Sequence, residues 1–187
     1  MNPVVEKPHE DEEPMSYIMV DVEADGPIPG PYSMVALGAV VVEPSLSKTF
    51  YAELQPISDQ WIPEALQVSN FTREATLGFE LPTIVMARFA QWIDRESTGR
   101  AFFISDNNGF DWQFVNWYFH SFCNHNPFGH SSSNLGSLYK GLVKDTFASF
   151  KHLRKTQHTH HALDDAIGNA EALLQLKQTF DLKISLK

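Results

Sequence analysis

The sequence predicts an α/β layer fold in which a mixed sheet, three antiparallel strands followed by parallel ones, is flanked by helices. Three observations predict it. Three strand-like runs follow one another between residues 17 and 54 with only short links, as in an antiparallel meander. Apolar residues then recur at helical spacing over 81–94, just before a short apolar run at 101–105. The chain closes on a long stripe of aliphatic and small residues over 161–180.

Residues 1–15 read as a flexible acidic tail, because they lack apolar periodicity, and 16–187 read as a single domain. Folded structure is expected from Ser16. Tyr17, Ile18, Met19, Val20, Asp21, Val22 and Glu23 form a β-branched run closed by the turn-rich stretch 25–31. Strands at 34–43 and 48–54 follow, separated by Pro44 and Ser45, and Pro63 suits the first turn of a short helix. Pro82 opens a crossover helix carrying Ile84, Val85, Phe89, Trp92 and Ile93. After the strand at 101–105 and a turn at 106–109 comes an aromatic-rich helix at 110–123. A short strand is expected near 128–132, with helical pieces at 135–144 and 147–154. In the last helix Leu163, Ala166, Ile167, Ala170 and Leu174 form one stripe, and Asp165 points away from it.

Composition narrows the function classes. No apolar run reaches the ~20 residues needed to span a bilayer, so no membrane partner is expected. The N-terminus shows no basic-then-apolar signal, and the one cysteine, Cys123, allows no internal disulfide. A reducing cytoplasm is the natural location. The net charge of −9 argues against a nucleic-acid partner, yet residues 1–14 hold −4 of it, with Glu6, Glu10, Asp11, Glu12 and Glu13 against Lys7. Between 140 and 161 the trend reverses: Lys140, Lys144, Lys151, Arg154 and Lys155 face only Asp145, and His152, His158, His160 and His161 join them. This strip can face phosphates or simply be a solvated surface.

Three groups carry chemistry. Asp21 and Glu23, two apart on a strand, project from one face about 7 Å apart and can share a metal, although strand-end carboxylates also occur merely solvated. Asp111 falls in a first helical turn after a strand, where it can hang over the sheet edge beside Asp21 or simply favour the helix dipole; Asp106 competes for the role. His160 and His161 lead into the last helix ahead of Asp164 and Asp165, between which the helical wheel does not choose. Magnesium-type sites prefer oxygen ligands, which casts a neighbouring histidine as proton acceptor; as a residue type it titrates near ~6.5.

The order Asp-X-Glu on the first strand, Asn-X-X-Phe-Asp in the middle and His-X-Ala-X-X-Asp at the last helix resembles the DEDDh 3′-to-5′ exonucleases over roughly residues 16–180. That resemblance implies a ribonuclease H-like fold, two Mg2+ or Mn2+ ions held by Asp21, Glu23, Asp111 and Asp165, and His160 as general base, five residues before Asp165. His161, at the spacing of the tyrosine-type relatives, is the alternate base. It implies removal of nucleotides one at a time from the 3′ end of single-stranded or 3′-overhang RNA. The alternatives are DNA, or a non-catalytic scaffold of the same fold. A homodimer is compatible with it. Many family members follow the Glu with Thr-Thr-Gly, which meets the terminal nucleotide, and here Ala24, Asp25 and Gly26 stand there. Substrate contacts are expected at Ala24, Asp25, Asn108, Lys155 and His158. Trp112, like Trp117, is a candidate for base stacking, though at helical spacing both also fit a core. The stretch from Asn108 to Phe114 is similar to the ribonuclease AS-like exoribonucleases.

Overall fold

The computed structural model describes residues 14–184; the expected acidic tail lies, up to residue 13, outside the described residues. Strand β1 (Met15–Ala24) begins one residue before the expected start, and Met15 pairs with Arg100. It is central in a five-stranded sheet of order β3-β2-β1-β4-β5, completed by β2 (Met34–Val41), β3 (Thr49–Glu53), β4 (Arg100–Ser105) and β5 (Ser132–Asn134). The β1–β2 and β2–β3 pairs are antiparallel, and β1–β4 and β4–β5 are parallel. This is the α/β fold with a mixed sheet that the strand pattern predicts.

Strand alternation divides β1 between two cores. Ile18, Val20 and Val22 enter an aromatic-rich layer beneath α3 (Pro82–Glu96) and α4 (Asn108–Cys123), with Phe89, Phe103, Phe114 and Phe119. Met19 enters the opposite layer with α5 (Leu135–Val143) and α6 (Ala162–Phe180), against Ile104, Leu173 and Leu176. Asp21 and Glu23 continue the Met19 face. They therefore emerge on the side where α6 begins.

Gly38, opposite Asp21 in the β1–β2 register, sets how closely α6 approaches. A Cβ there would fall on the backbone of Ala162 and Leu163. The first turn of α6 thus rests directly on β2, which carries Asp165 to the sheet end. The apolar stripe of α6 is turned from the expected one. Asp165 is 1% exposed and shares the buried face with Ala162, Ala166, Asn169, Leu173 and Leu176, while Leu163, Ile167 and Leu174 are half-buried. Four buried alanines, Ala162, Ala166, Ala170 and Ala172, let the helix sit close, and polar partners described below satisfy the buried carboxylate.

Other expectations shift. The strand placed at 128–132 lies at Ser132–Asn134 instead, and Phe128 sits in a turn, buried against Phe103 and Phe119. Its ring is worth more in the core than on a sheet edge. The helix expected at 147–154 reduces to a 3-10 turn at Lys151–Leu153. The short helix after Pro63 is α1 (Pro63–Val68), followed by one turn the pattern does not reveal, α2 (Arg73–Thr76), where the Thr72 hydroxyl accepts from the Ala75 amide. No helix among the described residues is long and apolar enough to cross a membrane.

Because Gly38 meets backbone, a side chain there has nowhere to go. Gly38→Val is expected to destabilise the protein by at least about 2 kcal/mol, read from the urea midpoint. An unchanged midpoint would show that α6 can lift without loss.

Candidate active site

A cleft of about 560 Å3 opens where β1 ends, and its two walls differ in chemistry. One is carboxylate-rich: Asp21, Glu23, Asp106 and Asp111. The other is largely apolar: Ile62, Ala65 and Val68 from α1 and its entry, with Ala24, Pro27 and Phe110 nearby. His158, His160 and Lys151 close the rim.

Carboxylate oxygens of Asp21, Glu23 and Asp165 lie within 4.8 Å of one another. Asp111 projects from the first turn of α4, is 2% exposed, and its Oδ2 has no hydrogen-bond partner. Burial is the largest influence on Asp21, Glu23 and Asp111; repulsion among the carboxylates comes next at Asp21 and Glu23, whereas at Asp111 hydrogen bonds come next and act against burial. Asp21 is held well above the ordinary carboxylate range by burial and then by Asp111, Glu23 and Asp165, against which Arg154 acts. Burial, with Asp165 and Asp111, pushes Glu23 up to about 8, and burial pushes Asp111 up to about 7. Such anions persist only with a compensating cation or a proton. An orphaned buried oxygen beside three converging carboxylates is a donor set that fits a hard divalent cation.

Asp165 organises the histidine loop. Its Oδ2 accepts from the His160 amide at 3.0 Å, and Oδ1 accepts from the Thr159 amide at 3.3 Å. His160 takes a left-handed conformation, φ 57°, which turns both amides toward this carboxylate. Arg154 Nη2 donates to Asp165 Oδ1 at 2.7 Å, and His158 Nδ1 lies 2.8 Å from the same oxygen. The Arg154 side chain is 5% exposed and lies over Gly168, where a Cβ would collide with the guanidinium. Glycine at 168 is therefore the seat of the arginine.

The two neighbouring histidines separate. His160 faces the cleft, with its ring centroid 4.2 Å from that of His158. His161 is the N-cap of α6, stacks on Tyr51 at 4.5 Å and lines an adjoining hollow that also touches Glu23 and His160.

Four expected substrate contacts lie away from the cleft wall. Asp25 is fully buried, accepting from the Ser33 amide at 2.5 Å and pairing with Arg73 at 3.1 Å. It is part of a knot in which Arg73 also donates to the Ser58 carbonyl and the Ile62 amide donates to the Asp25 carbonyl, fixing α1 over the cleft. Asn108 exchanges hydrogen bonds with Ser132, tying α4 to β5. Trp112 packs edge-on against Phe103 at 5.0 Å, as its helical spacing allowed. Lys155 is exposed and anchored through its amide to Glu171. Ala24 and His158 do line the cleft. Sequence reasoning missed Asn107, Phe110 and the α1 wall, and it ranked Asp106 below Asp111, although both reach the cleft. It counted Lys151 and Arg154 only as charges. The arginine seat leaves a faint trace in a glycine in the interior of a long helix.

The family model for the 3′-5′ exoribonuclease Rv2179c-like domain matches residues 16–176. The chain belongs to that family. It is 36% identical over 161 residues to the 3′-5′ DNA exonuclease Cap18 of Escherichia coli, covering 84% of this chain and 83% of that protein. Solved structures agree on the fold. The nuclease domain of 3′hExo, a DEDDh family member bound to rAMP, superposes with TM-score 0.72 at 15% identity, over 92% of this chain and 96% of that one. E. coli Exonuclease I in complex with a dT13 oligonucleotide gives 0.70 at 16% identity, over 89% of this chain and 42% of that one. The sheet is thus that of the DEDDh exonucleases, and the chain is one of the 3′-5′ exonuclease family.

The raised carboxylates make stability depend on pH. The unfolded chain releases the Glu23 proton near its ordinary 4.5, whereas the folded protein keeps it to about 8. Between those values the folded state binds more protons, so stability falls as pH rises through this window. In EDTA, Tm is expected to decline from pH 5 to 8, with Glu23→Gln removing part of the decline. A wild-type Tm that is flat or rises over that range contradicts the buried-anion account.

Proposed function

We propose that this protein hydrolyses phosphodiester bonds from the 3′ end of single-stranded nucleic acid or 3′ overhangs, one nucleotide at a time. One observation carries the reading: the approach of Asp21, Glu23 and Asp165 beside the unpartnered Oδ2 of Asp111, with His160 at the rim. The four carboxylates would hold two Mg2+ or Mn2+ ions. When bound, such ions neutralise charge developing on the phosphate in the transition state.

The chain's own groups supply the rest. The α1 wall of Ile62, Ala65 and Val68 offers apolar surface for a terminal base opposite the carboxylates. His160 takes the proton of the attacking water, and the hydrogen bond its backbone amide donates to Asp165 ties the base to the ligand it works beside. His161 is the weaker candidate because capping and the Tyr51 stack already occupy it. RNA is the substrate favoured by the motif resemblance and by the family's description. DNA is the second reading, favoured by the relative that shares 36% identity. Contacts to a 2′-hydroxyl separate the two.

With 5′-labelled RNA and DNA of one sequence, the preferred strand should give a descending ladder in Mg2+ or Mn2+ and none in EDTA. Asp111→Asn should abolish the ladder while metal-free Tm stays equal or rises. Fragments starting in the interior indicate an endonuclease, and metal binding without products indicates a scaffold.

The histidines give a sharper comparison. His160→Ala is expected to lower kcat by ~100-fold or more with metal affinity little changed, since general-base catalysis contributes about this much. His161→Ala should be milder in kcat and cost some stability through its cap. The opposite ranking assigns the base to His161.

A further inference from the structure

Phe147 is 95% exposed, the most open of the large apolar side chains among the described residues. Single exposed apolar residues are common, but this one is presented rather than loose. On one side of it Val143 and on the other Ala148 and Phe150 pack into the α5–α6 core. Its own amide donates to Asp145 Oδ1 at 2.9 Å, closing a tight turn. Lys144, in left-handed conformation, ends α5 just before it. The turn thus has two fixed ends and an aromatic tip.

The cations around this tip reach the cleft. Lys140, Lys144 and Lys151 are exposed, and the nearby Asp145 spends one oxygen on the turn. Lys151 lines the cleft rim four residues after Phe147, which chain length keeps within about 14 Å. Burial raises the pKa of Asp106 on the cleft wall, and Lys151, Arg154, His158 and Lys140 pull it back, so the lysines of α5 and of the 3-10 turn flank one wall. Positive charge thus extends from the cleft wall, at Lys151 and Lys140, to the segment that carries the open aromatic face. That combination matches a single strand, whose phosphates need cations and whose bases stack on rings without regard to sequence.

We propose that the 144–151 turn is a docking platform for the nucleotides upstream of the 3′ end, with a base stacked on Phe147 and phosphates beside Lys144 and Lys151. This rests on the exonuclease reading of the cleft. It places the entering strand along the 3-10 turn and gives the enzyme a preference for longer strands over short ones.

The test compares uncleavable phosphorothioate oligothymidylates and oligouridylates of 3 and 12 nucleotides, bound in Mg2+ and read by fluorescence anisotropy. In the wild type the 12-mer should bind at least 10-fold tighter than the 3-mer. Phe147→Ala should cut that preference to about 2-fold, and Phe147→Trp should restore it. Lys144→Ala should lower the slope of log Kd against log salt by roughly one for the 12-mer only. Both side chains are exposed, so the variants should fold, and unchanged Tm checks it. A preference that survives Phe147→Ala, or a variant whose only change is weaker self-association in light scattering, overturns the platform while leaving the exonuclease reading intact. Failure of the wild type to bind either length overturns both.

Discussion

Asp21, Glu23, Asp111 and Asp165 repel one another at the end of the sheet, and burial strengthens the repulsion beyond its value in water. Two unit charges 4 Å apart cost about 4 kcal/mol at the effective dielectric of a partly buried site. No fold assembles such a group unless its surroundings offset the cost. The surroundings treat them differently: burial raises Asp21 and Glu23 toward keeping a proton, two loop amides and a guanidinium meet Asp165, and Asp111 keeps an unpartnered oxygen. The unequal treatment of the four is informative. Asp165 is the member the protein neutralises itself, so the charge left for a cation is concentrated on β1 and α4.

The opposite wall of the cleft is held by a different device. Asp25 and Arg73 form an ion pair buried between the end of β1 and the segment carrying α1 and α2. Breaking such a pair by removing one partner typically costs 3–5 kcal/mol, because the other charge is stranded. A loop that would otherwise drift is thereby tied to the same strand that carries Asp21 and Glu23. The spacing between the apolar wall and the carboxylates is therefore set just beyond the end of β1, at Asp25, two residues past Glu23.

Much of this was legible in the sequence because periodicity reports burial. The β-branched runs and the helix from Pro82 to Glu96 sort themselves by period, and the strand pair Asp21 and Glu23 shares a face by geometry alone. What escaped depends on contacts distant in sequence. Asp25 reads as a loop residue near a substrate until Arg73 comes beside it. Asp165 reads as lying off the apolar stripe, because hydropathy counts a carboxylate as outward-facing and has no knowledge of Arg154 or the 159–160 amides. Phe128 and Ser132–Asn134 were misplaced for a related reason: a three-residue edge strand held by Asn108 carries too few apolar residues to announce itself. Trp112 could not be divided between core and stacking until Phe103 was seen beneath it.

The seat of Arg154 on Gly168 constrains how the sequence can drift. A side chain at 168 would push the guanidinium out of its present place, and losing the arginine leaves Asp165 with only His158 and the loop amides. Neither position can vary first without loss unless a second cation has already arrived. The two residues, 14 apart in the chain, therefore behave as one inherited character. In a set of related sequences the pair should change together, and a lineage with alanine or a larger residue at 168 should be found to neutralise its last aspartate by another route.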